Sequence, residues 1–597
     1  MAIGTPSESP AIVVKELDRS GVVPNVQTTT GAFVGNFNWG PVKQATLVSN
    51  ESALAETFGS PDSSNTIEFH SAAYFLRYAN TMQVVREVTS AAKNAYDTDA
   101  NATVLVENRD NWDDQIAARD GDKHTFVAKW PGNLGNSLKV SMLPCDSSSS
   151  AGIASSTLFD NWAYKSSFDA APLTSDFVRN KTDKLLQVED KPQIYGGDEM
   201  HVVVIDEDGA IGGTKGAVLE TFPFVSLALG AQNPDGSTNF IKDVINNQSE
   251  YVWMAGFGDA NKFSGLAGTT ADSGDSYITP HGGGPKVIDI SLVNGVNSGA
   301  LTPSEYATGF DKFEDPDTIT VDFLIAPGMT SSTDQKTVVN DLVAIAQTTR
   351  KDCVAVASPA RSDIVASTTP VTSAISTANG FTNSSYLIVD NNYLKVYDKY
   401  TDQYIQIPGS SSTAGIMAAS DFNNAPWFSP AGPRRGQYVG ITSLSYSPNK
   451  SERDSLYKAG INPISNIPGQ GVLLFGDKTK LARPSAFDRI NVRRLFLAIE
   501  RAISIAARNV MFEFNDEFTR AEFQNVVEPF LREIQGRRGI TDFRVVCDTT
   551  NNTAAVIDRN EFKADIFIKP ARSINYVTLS FVAVRTGVDF EEVVGTV

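Results

Sequence analysis

The chain has 597 residues and a mass of 64.3 kDa, more than one hydrophobic core usually organises, so we expect two to four domains. Its formal charge of -19 and pI near 4.8 argue against a nucleic-acid-binding surface, which needs a net basic face. No run approaches about 18 apolar residues and no secretory leader is visible, so we expect no membrane insertion and a cytoplasm-like compartment.

Residues 1–22 form an N-terminal arm that opens with a Ser-, Pro- and Glu-rich stretch. A short alternating run follows, in which Ile12 and Val14 face one way and Val13 and Leu17 face the other. This pattern suits a strand that is buried on both faces. An edge strand of the arm's own domain is the alternative.

Residues 23–95 alternate between strand and helix, which predicts an α/β layer. A strand in 30–41 ends in a Gly-Pro turn, and residues 50–59 are helical with a glycine stop. A longer helix over 68–78 and a strand over 82–88 follow.

Residues 96–316 change in character, because Ser, Gly, Asp and Asn clusters separate short apolar runs such as 138–143 and 201–205. That composition is typical of all-β modules with long loops. We therefore predict one or two inserted β-rich domains.

Residues 317–357 return to α/β order. A strand over 318–327, a helix over 333–350 and a strand over 352–357 predict a βαβ unit with a right-handed crossover. If this is correct, the inserted segment interrupts a single core domain.

The core segment continues to residue 470. Residues 360–384 are rich in Ser and Thr and are interpreted as a linker. A meander of strands over 386–390, 393–397 and 404–407 and a short helix over 415–421 follow.

Residues 471–585 are the most regularly patterned part of the chain. Apolar residues from Val492 onward recur at helical spacing, and a second stripe begins at Phe523. Thr519 and Glu522 predict a capping box, and Phe518 with Phe523 a hydrophobic staple. Strand-like runs over 542–547, 561–569 and 574–584 complete an α+β layer, after which 586–597 form a C-terminal arm.

Residue types that could carry chemistry are scattered. The three cysteines and four histidines lack the spacing of a disulfide framework or metal site, so we expect no metal and no cofactor. Asp206-Glu-Asp-Gly209 has its glycine at the fourth position, whereas a calcium loop needs it at the sixth, and a hairpin turn is preferred. Residues 209–216 lack the second glycine and the metal-binding hydroxyl of a phosphate loop.

Two arginine pairs, Arg434-Arg435 and Arg537-Arg538, could hold an anion. Solvated loop arginines and salt bridges between subunits are the alternatives. The βαβ unit could hold a nucleotide at its strand ends, but residues 326–332 lack the spaced glycines of a dinucleotide loop, so only fold analogy supports this. We expect the chain not to be an enzyme.

Several stretches resemble tail sheath proteins of contractile-tailed bacteriophages. In the last quarter they are Asn491-Val-Arg-Arg494, Asn515-Asp-Glu-Phe-Thr-Arg520, Gly536-Arg-Arg-Gly-Ile-Thr-Asp-Phe543 and Lys569-Pro-Ala-Arg-Ser573. Elsewhere they are Gly31-Ala-Phe-Val-Gly35, Trp39-Gly-Pro41, Val84-Val-Arg86 and the loop over 426–436. The inserted segment matches only loosely.

The resemblance implies a structural subunit of a tail sheath. Such subunits form hexameric rings that stack helically around a tail tube and contract to drive the tube through the host envelope. The implied partners are further copies of the chain, the tail tube protein, and baseplate and tail terminator proteins, with no direct nucleic-acid contact. The implied location is the virion tail, after assembly in the host cytoplasm.

Two sets of residues become candidate contacts. We expect the terminal runs to be strands exchanged with a neighbouring subunit; their residues are Ile12, Val13, Val14, Leu17, Val588, Phe590, Val593 and Val594. Arginines on the first C-terminal helix, opposite its apolar stripe, and in the loop after the second helix are candidates for contact with the tube or a neighbour: Arg493, Arg494, Arg501, Arg537 and Arg538.

The predicted fold class is a multi-domain α/β and α+β core with inserted β-rich domains, whose C-terminal domain sets two long helices on a small sheet. The predicted divisions are an N-terminal arm (1–22), core (23–95), inserted outer domains (96–316), continued core (317–470), C-terminal α+β sheath domain (471–585) and C-terminal arm (586–597). The alternative function is a receptor-binding or decorating virion protein whose β-rich domains bind a host.

Overall fold

The computed structural model describes residues 29–97, 103–121, 124–144, 156–169, 199–226, 231–233, 235–256, 270–271, 277–278 and 287–575. The chain divides into two compact units. In the described part, the C-terminal unit consists of Asn424–Ser429 and residues 489–575. The large unit consists of the described residues from 29 to 423 and of residues 430–488.

The large unit contains most of the strands. They are, in chain order, β1 (Gly31–Gly35), β2 (Ala45–Val48), β3 (Met82–Arg86), β4 (Tyr96–Asp97), β5 (Phe126–Ala128), β6 (Leu138–Pro144), β7 (Glu199–Asp206), β8 (Ala217–Ser226), β9 (Val252–Met254), β10 (Thr270–Ala271), β11 (Tyr277–Ile278), β12 (Ile288–Val293), β13 (Phe323–Ile325), β14 (Val354–Ala357), β15 (Leu387–Val389), β16 (Tyr393–Asp398), β17 (Gln403–Pro408), β18 (Ser443–Leu444), β19 (Ile464–Ile467) and β20 (Gly471–Leu474). The C-terminal unit adds β21 (Ile540–Val546) and β22 (Asp565–Pro570).

Helices connect these strands. Those of the large unit are α1 (Glu51–Phe58), α2 (Thr66–Leu76), α3 (Arg109–Gly121), α4 (Ser156–Asn161), α5 (Ile241–Gln248), α6 (Pro303–Asp311), α7 (Ser332–Ala344), α8 (Arg361–Ile364), α9 (Pro370–Ala378), α10 (Gly409–Asn423) and α11 (Lys450–Lys458). A π-helical turn, Ile345–Arg350, continues α7. The C-terminal unit contains α12 (Ile490–Ala507), α13 (Glu517–Gly536) and α14 (Ala554–Ile557).

Six strands form the central sheet of the large unit, in the order β15-β14-β13-β1-β3-β2. All neighbours are parallel except β2 and β3. Gly31 of β1 lies opposite Phe323 of β13, and just before them the Thr30 N–H donates to the Asp322 carboxylate at 2.9 Å across 292 residues. Strands from either side of the inserted segment therefore lie in one sheet.

Both faces of this sheet are covered, as the continuous apolar strands require. Val34 and Leu324 pack on one face in a cluster that includes Val339 of α7. Phe323 lies on the other face, where its ring centroid is 6.3 Å from that of Phe75 in α2. The predicted strand, helix and strand of the βαβ unit are confirmed, with β13 and β14 parallel.

The inserted segment forms a second sheet of seven strands, in the order β8-β7-β6-β12-β4-β5-β9, with antiparallel neighbours throughout. Its apolar core includes Val140, Val204 and Ile290. The segment is therefore rich in β structure, and α3, α4 and α5 also belong to it. The chain as a whole is a mixed α/β protein with several sheets and helices.

The acidic run at 206–209 is a hairpin turn between β7 and β8, as preferred over a calcium loop. Asp206 is buried, and its carboxylate accepts backbone N–H bonds from Gly209, Ile211 and Gly212 at 3.1, 2.9 and 2.7 Å. These bonds satisfy the carboxylate within the turn itself.

Three expectations for the continued core are wrong. The Ser- and Thr-rich stretch at 360–384 contains α8 and α9 rather than a linker, since small residues such as Ala374 and Ala378 are buried. Strand β15 joins the central parallel sheet instead of a meander. The short helix predicted at 415–421 is the 15-residue α10.

The carboxyl ends of β13, β14 and β15 are covered by the start of α10, at the edge where nucleotides bind in related α/β sheets. Residues 410–413 in the first turn of α10 are all buried. Asp390, which follows β15, accepts hydrogen bonds from Ser358 Oγ at 2.8 Å and from Thr413 Oγ1 at 3.1 Å. The chain's own carboxylate thus lies beside a helix N-terminus, a position that suits a phosphate in nucleotide-binding folds.

The buried Asp390 should make the stability of the protein depend on pH. Burial raises the pKa of its carboxyl from 3.8 to about 7, although hydrogen bonds from Ser358, Asn392 and Thr413 act in the opposite direction. Because the folded-state pKa lies above the unfolded one, the stability that this group contributes is lost as pH rises through about 7. Asparagine does not ionise, so Asp390→Asn should not show this loss. Between about pH 5 and pH 8 its free energy of unfolding should therefore rise by roughly 2 to 3 kcal/mol relative to that of wild type.

Calorimetric melting of both proteins across that pH range measures the effect. Asp454→Asn, at an exposed position on α11, is the matched control. A difference in melting temperature between Asp390→Asn and wild type that is the same at every pH would contradict the prediction.

Candidate functional site

The C-terminal unit is built on α12 and α13. Leu495 and Ile499 of α12 pack with Phe523, Val527 and Leu531 of α13 in one buried cluster. These residues belong to the two apolar stripes read from the sequence, so both stripes are confirmed as buried faces.

The predicted capping box at the start of α13 is wrong. The N-cap is Asp516, whose carboxylate accepts a hydrogen bond from the Thr519 backbone N–H at 2.8 Å. That hydrogen bond lowers the pKa of the Asp516 carboxyl. A carboxylate is favoured here because it also interacts with the positive end of the helix dipole. Phe518, the predicted staple partner of Phe523, is 67% exposed.

The helix ends at Gly536. The residue with the left-handed backbone that turns the chain is Arg538, with φ of 67°. Gly539 follows in a crowded position: an added Cβ would lie 2.6 Å from the Ile534 side chain and 3.1 Å from the Trp427 ring. The chain can therefore pass this point only without a side chain.

The loop segment Asn424–Ser429 belongs to this unit. Trp427 Nε1 donates to the Arg537 carbonyl at 3.1 Å, and the Arg537 guanidinium lies 5.1 Å from the centre of the Trp427 ring. Asn491 of α12 donates to the Trp427 carbonyl at 3.4 Å. Trp427 thus connects the start of α12 through its main-chain carbonyl and the end of α13 through its indole. Sequence reasoning did not find the contact with α12, because 64 residues separate the partners.

The sheet of this unit is small. β21 and β22 form an antiparallel pair with a register shift between Ile540 and Asp542. One face packs in the helix cluster through Ile540 and Val545, whereas Phe567 on β22 is exposed. Among the described residues only these two strands pair here, and a two-stranded sheet is marginal by itself. In this described part, each outer edge of the pair is therefore open to a further strand.

The connection between α12 and α13 exposes large apolar side chains. Phe512 is fully exposed and has a left-handed backbone with φ of 70°, and Phe514 is 83% exposed. Met511 and Phe518 are also exposed. We call these four residues the apolar turn. Sequence reasoning missed it, although the Phe512-Glu-Phe514 motif outside both helical stripes could have indicated it.

Two of the predicted contact arginines are not available on an open helix face. Arg493 and Arg494 are buried, and Arg493 Nη2 lies 3.5 Å from Glu500 Oε2. Residues 490–495 at the start of α12 are all buried, and contact of Arg493 and Arg494 with the tube or a neighbour stays a prediction.

The other predicted contact residues remain untested. Arg501 is partly buried, and Arg537 and Arg538 are exposed at the end of α13. The residues predicted for strand exchange lie outside the described residues: Ile12, Val13, Val14, Leu17, Val588, Phe590, Val593 and Val594.

The described ranges contain no candidate membrane span and no cluster of metal-ligating side chains. None of the helices in them combines the length and apolar character needed to cross a membrane. No group of three His, Cys, Asp or Glu side chains in the same ranges could hold a metal ion. Cys353 and Cys547 are buried and unbridged, and Cys145 lies outside the described residues.

Known proteins match this architecture along the chain. Residues 299–480 match the phage tail sheath protein central domain, and residues 482–583 match the phage tail sheath C-terminal domain. The tail sheath protein of Enterobacteria phage T4 is 32% identical over 660 residues, covering 98% of this chain and 99% of the phage protein. The chain belongs to the phage tail sheath family.

Other members of the tail sheath family show the same extent of similarity. The tail sheath protein of Vibrio phage KVP40 is 30% identical over 680 residues, covering 98% of this chain and 99% of that protein. The crystal structure of a sheath tail protein from Listeria innocua shares the fold, with a TM-score of 0.50 at 12% identity over 91% of this chain and 96% of that chain. The resemblance seen in the residue stretches is confirmed, and the chain is a structural protein of a contractile phage tail.

The close packing at Gly539 yields a prediction with a matched control. Gly539→Ala should destabilise the C-terminal unit by about 1 to 3 kcal/mol, because the new methyl group overlaps Ile534 and presses on the Trp427 ring. Gly536→Ala meets nothing within 4 Å and should be neutral or stabilising by up to about 1 kcal/mol.

Thermal unfolding of the two variants and of wild type measures these shifts. Equal melting temperatures for Gly539→Ala and Gly536→Ala would show that the Trp427 loop does not pack against the end of α13.

Proposed function

We propose that this chain forms the sheath as hexameric rings stacked helically around the tail tube. Contraction is a rigid-body rearrangement of subunits that drives the tube through the host envelope. Membership of the tail sheath family carries the proposal, and the division into two compact units supports a rigid-body mechanism. The partners are the tail tube, baseplate and tail terminator proteins, and assembly takes place in the host cytoplasm.

Strand exchange between copies would complete the small sheet. The pair β21 and β22 has two outer edges, and the alternating terminal runs at 12–17 and 588–594 have the pattern of added strands. Such a contact uses different surfaces on the two copies, so it repeats without closing, as a helical lattice requires. Main-chain hydrogen bonds would then hold the copies together while the compact units move.

The apolar turn supports assembly by a second route. Its four large apolar side chains are exposed within residues 511–518 of the chain. Large exposed apolar patches on soluble proteins usually mark interaction sites. Burying one such side chain stabilises a contact by about 1.5 to 3 kcal/mol. We assign this surface to contact with a neighbouring copy.

Deletion of residues 1–17 tests strand exchange. The truncated protein should remain a folded monomer, because the central sheet starts at Gly31, but it should form no tubes. Electron microscopy and analytical ultracentrifugation distinguish the two states.

Deletion of residues 1–8 alone is the control, since it keeps the alternating run and should still give tubes. Normal tubes from the longer deletion would rule out exchange of the N-terminal arm. Compact trimers from the intact chain would favour the alternative, a receptor-binding or decorating virion protein.

Contraction should need no nucleotide. The strand ends that could hold a nucleotide are covered by α10, and Asp390 lies where a phosphate would. Purified extended tails, once triggered, should shorten to the same length with ATP and with an ATP-hydrolysing enzyme. Shortening only in the presence of ATP would contradict energy storage during assembly.

A further inference from the structure

A cavity of about 520 Å³ lies in the large unit at the free edge of β17. The start of α2, the first residue of α8 and the hairpin of β16 and β17 surround it. Its volume lies in the range of small-molecule sites. The side chains that matter here are Thr66, Thr401, Arg361, Lys395, Tyr404 and Gln406.

Two hydroxyl groups on the cavity wall can act only as acceptors. Thr66 Oγ1 and Thr401 Oγ1 both donate to Asp398 Oδ2, at 2.9 and 2.6 Å. A hydroxyl has one proton, so each of these oxygens keeps only lone pairs for a ligand.

Asp398 accepts the hydroxyl hydrogen bonds of Thr66 and Thr401 because its carboxyl group remains ionised. Burial favours a higher pKa, but hydrogen bonds from Thr401, His70, the Tyr400 backbone and Thr66 outweigh it and lower the pKa to about 2. His70 Nε2 lies 2.9 Å from Asp398 Oδ1 on the buried side. The arrangement is therefore fixed across the neutral pH range.

Two cations line the same cavity, in a chain with a net charge of -19. Arg361 uses Nη1 to donate to the Gln406 carbonyl at 2.7 Å, which leaves other N–H groups of the guanidinium for a ligand. Lys395 Nζ lies 5.2 Å from the centre of the Tyr404 ring. This pair selects an anionic group such as a carboxylate.

An aromatic surface borders the cations. Tyr404 is 59% exposed and lies opposite Tyr397 across the hairpin, with ring centroids 5.6 Å apart. The neighbouring cross-strand pair on the same face is Lys395 and Gln406. Exposed aromatic rings beside polar groups suit a ligand with one apolar face and several polar groups at its edge.

We propose that this pocket binds a sugar acid, a ring that carries both hydroxyl groups and a carboxylate. The carboxylate lies against Arg361 and Lys395, hydroxyl groups donate to Thr66 and Thr401, and the C–H face of the ring packs on Tyr404. A simple carboxylate such as acetate brings no donors for the two threonine oxygens, and a neutral sugar brings no charge. The proposal is independent of the assembly mechanism described above.

Titration calorimetry of the intact protein with glucuronate, glucose, acetate and phosphate tests it. Glucuronate should bind at least about tenfold more tightly than any of the other three, because only it combines a negative charge, hydroxyl donors and a ring that packs on Tyr404. Binding of acetate or phosphate as tight as that of glucuronate would overturn the proposal in favour of a general anion site. Failure of glucuronate to bind would also overturn it.

Variants separate the roles of the cation and the ring. Lys395→Gln should weaken glucuronate binding about tenfold and leave the weaker glucose binding unchanged, whereas Tyr404→Ala should weaken both. Lys399→Gln is the control, since Lys399 lies on the same hairpin but pairs with Glu51 at 3.1 Å outside the cavity.

Circular dichroism and melting temperature establish that each variant is folded. Arg361 is left intact because it also anchors the Gln406 backbone. Unchanged glucuronate affinity in folded Lys395→Gln would overturn the proposal, as would an equal loss in Lys399→Gln.

Discussion

The parallel pairing of β1 with β13 is the constraint on which the large unit depends. It joins strands from either side of the inserted segment, and without it the central sheet would be two fragments. Arg86 at the end of β3 strengthens the junction, because its buried guanidinium donates to the carbonyls of Phe37, Gly40 and Pro131 at 2.8, 2.8 and 2.5 Å. One side chain thereby ties the central sheet to the loop that follows β5 in the inserted segment. An inserted sheet held in this way can differ in size without disturbing the core.

The two units differ in how much of their strand edges and apolar surface the chain itself covers in the described part. The large unit covers both faces of its central sheet and fills the strand ends with α10 and Asp390. The C-terminal unit leaves two strand edges and the apolar turn open in its described part. Backbone edges and exposed aromatic rings are costly in an isolated molecule and favourable in a lattice, where every copy supplies what its neighbour lacks. The open edges and apolar turn of the C-terminal unit agree with membership of a family of structural tail proteins.

Sequence reasoning located most elements where local patterning and burial agree. The strands β1, β13 and β14 are continuous apolar runs, and the stripes of α12 and α13 have clear helical spacing. The failures have physical causes. Helix α9 buries Ala374 and Ala378, which are too small to give a strong apolar stripe, and β15 pairs with a strand that no local pattern specifies.

The candidate site was harder to predict, because its features depend on surroundings and contacts that no local sequence pattern specifies. Burial of Arg493 and Arg494 is decided by the surroundings of α12, whereas charged residues opposite an apolar stripe are usually solvated. The choice of Asp516 over Thr519 as the N-cap depends on the backbone of Asp516, which is extended at φ -109° and ψ 178°. Contacts such as Trp427 with Arg537 join distant segments, so periodicity contains no information about them.

The separation of β1 from β13 also has a consequence for synthesis. At about 5 to 20 residues per second, a ribosome needs roughly 15 to 60 s to add the 292 residues between Thr30 and Asp322. Throughout that interval the edge of β1 that later pairs with β13 has no partner strand. The nascent chain is therefore exposed to wrong pairing for much longer than a compact α/β domain of ordinary length, and its central sheet can close only after the inserted segment has emerged.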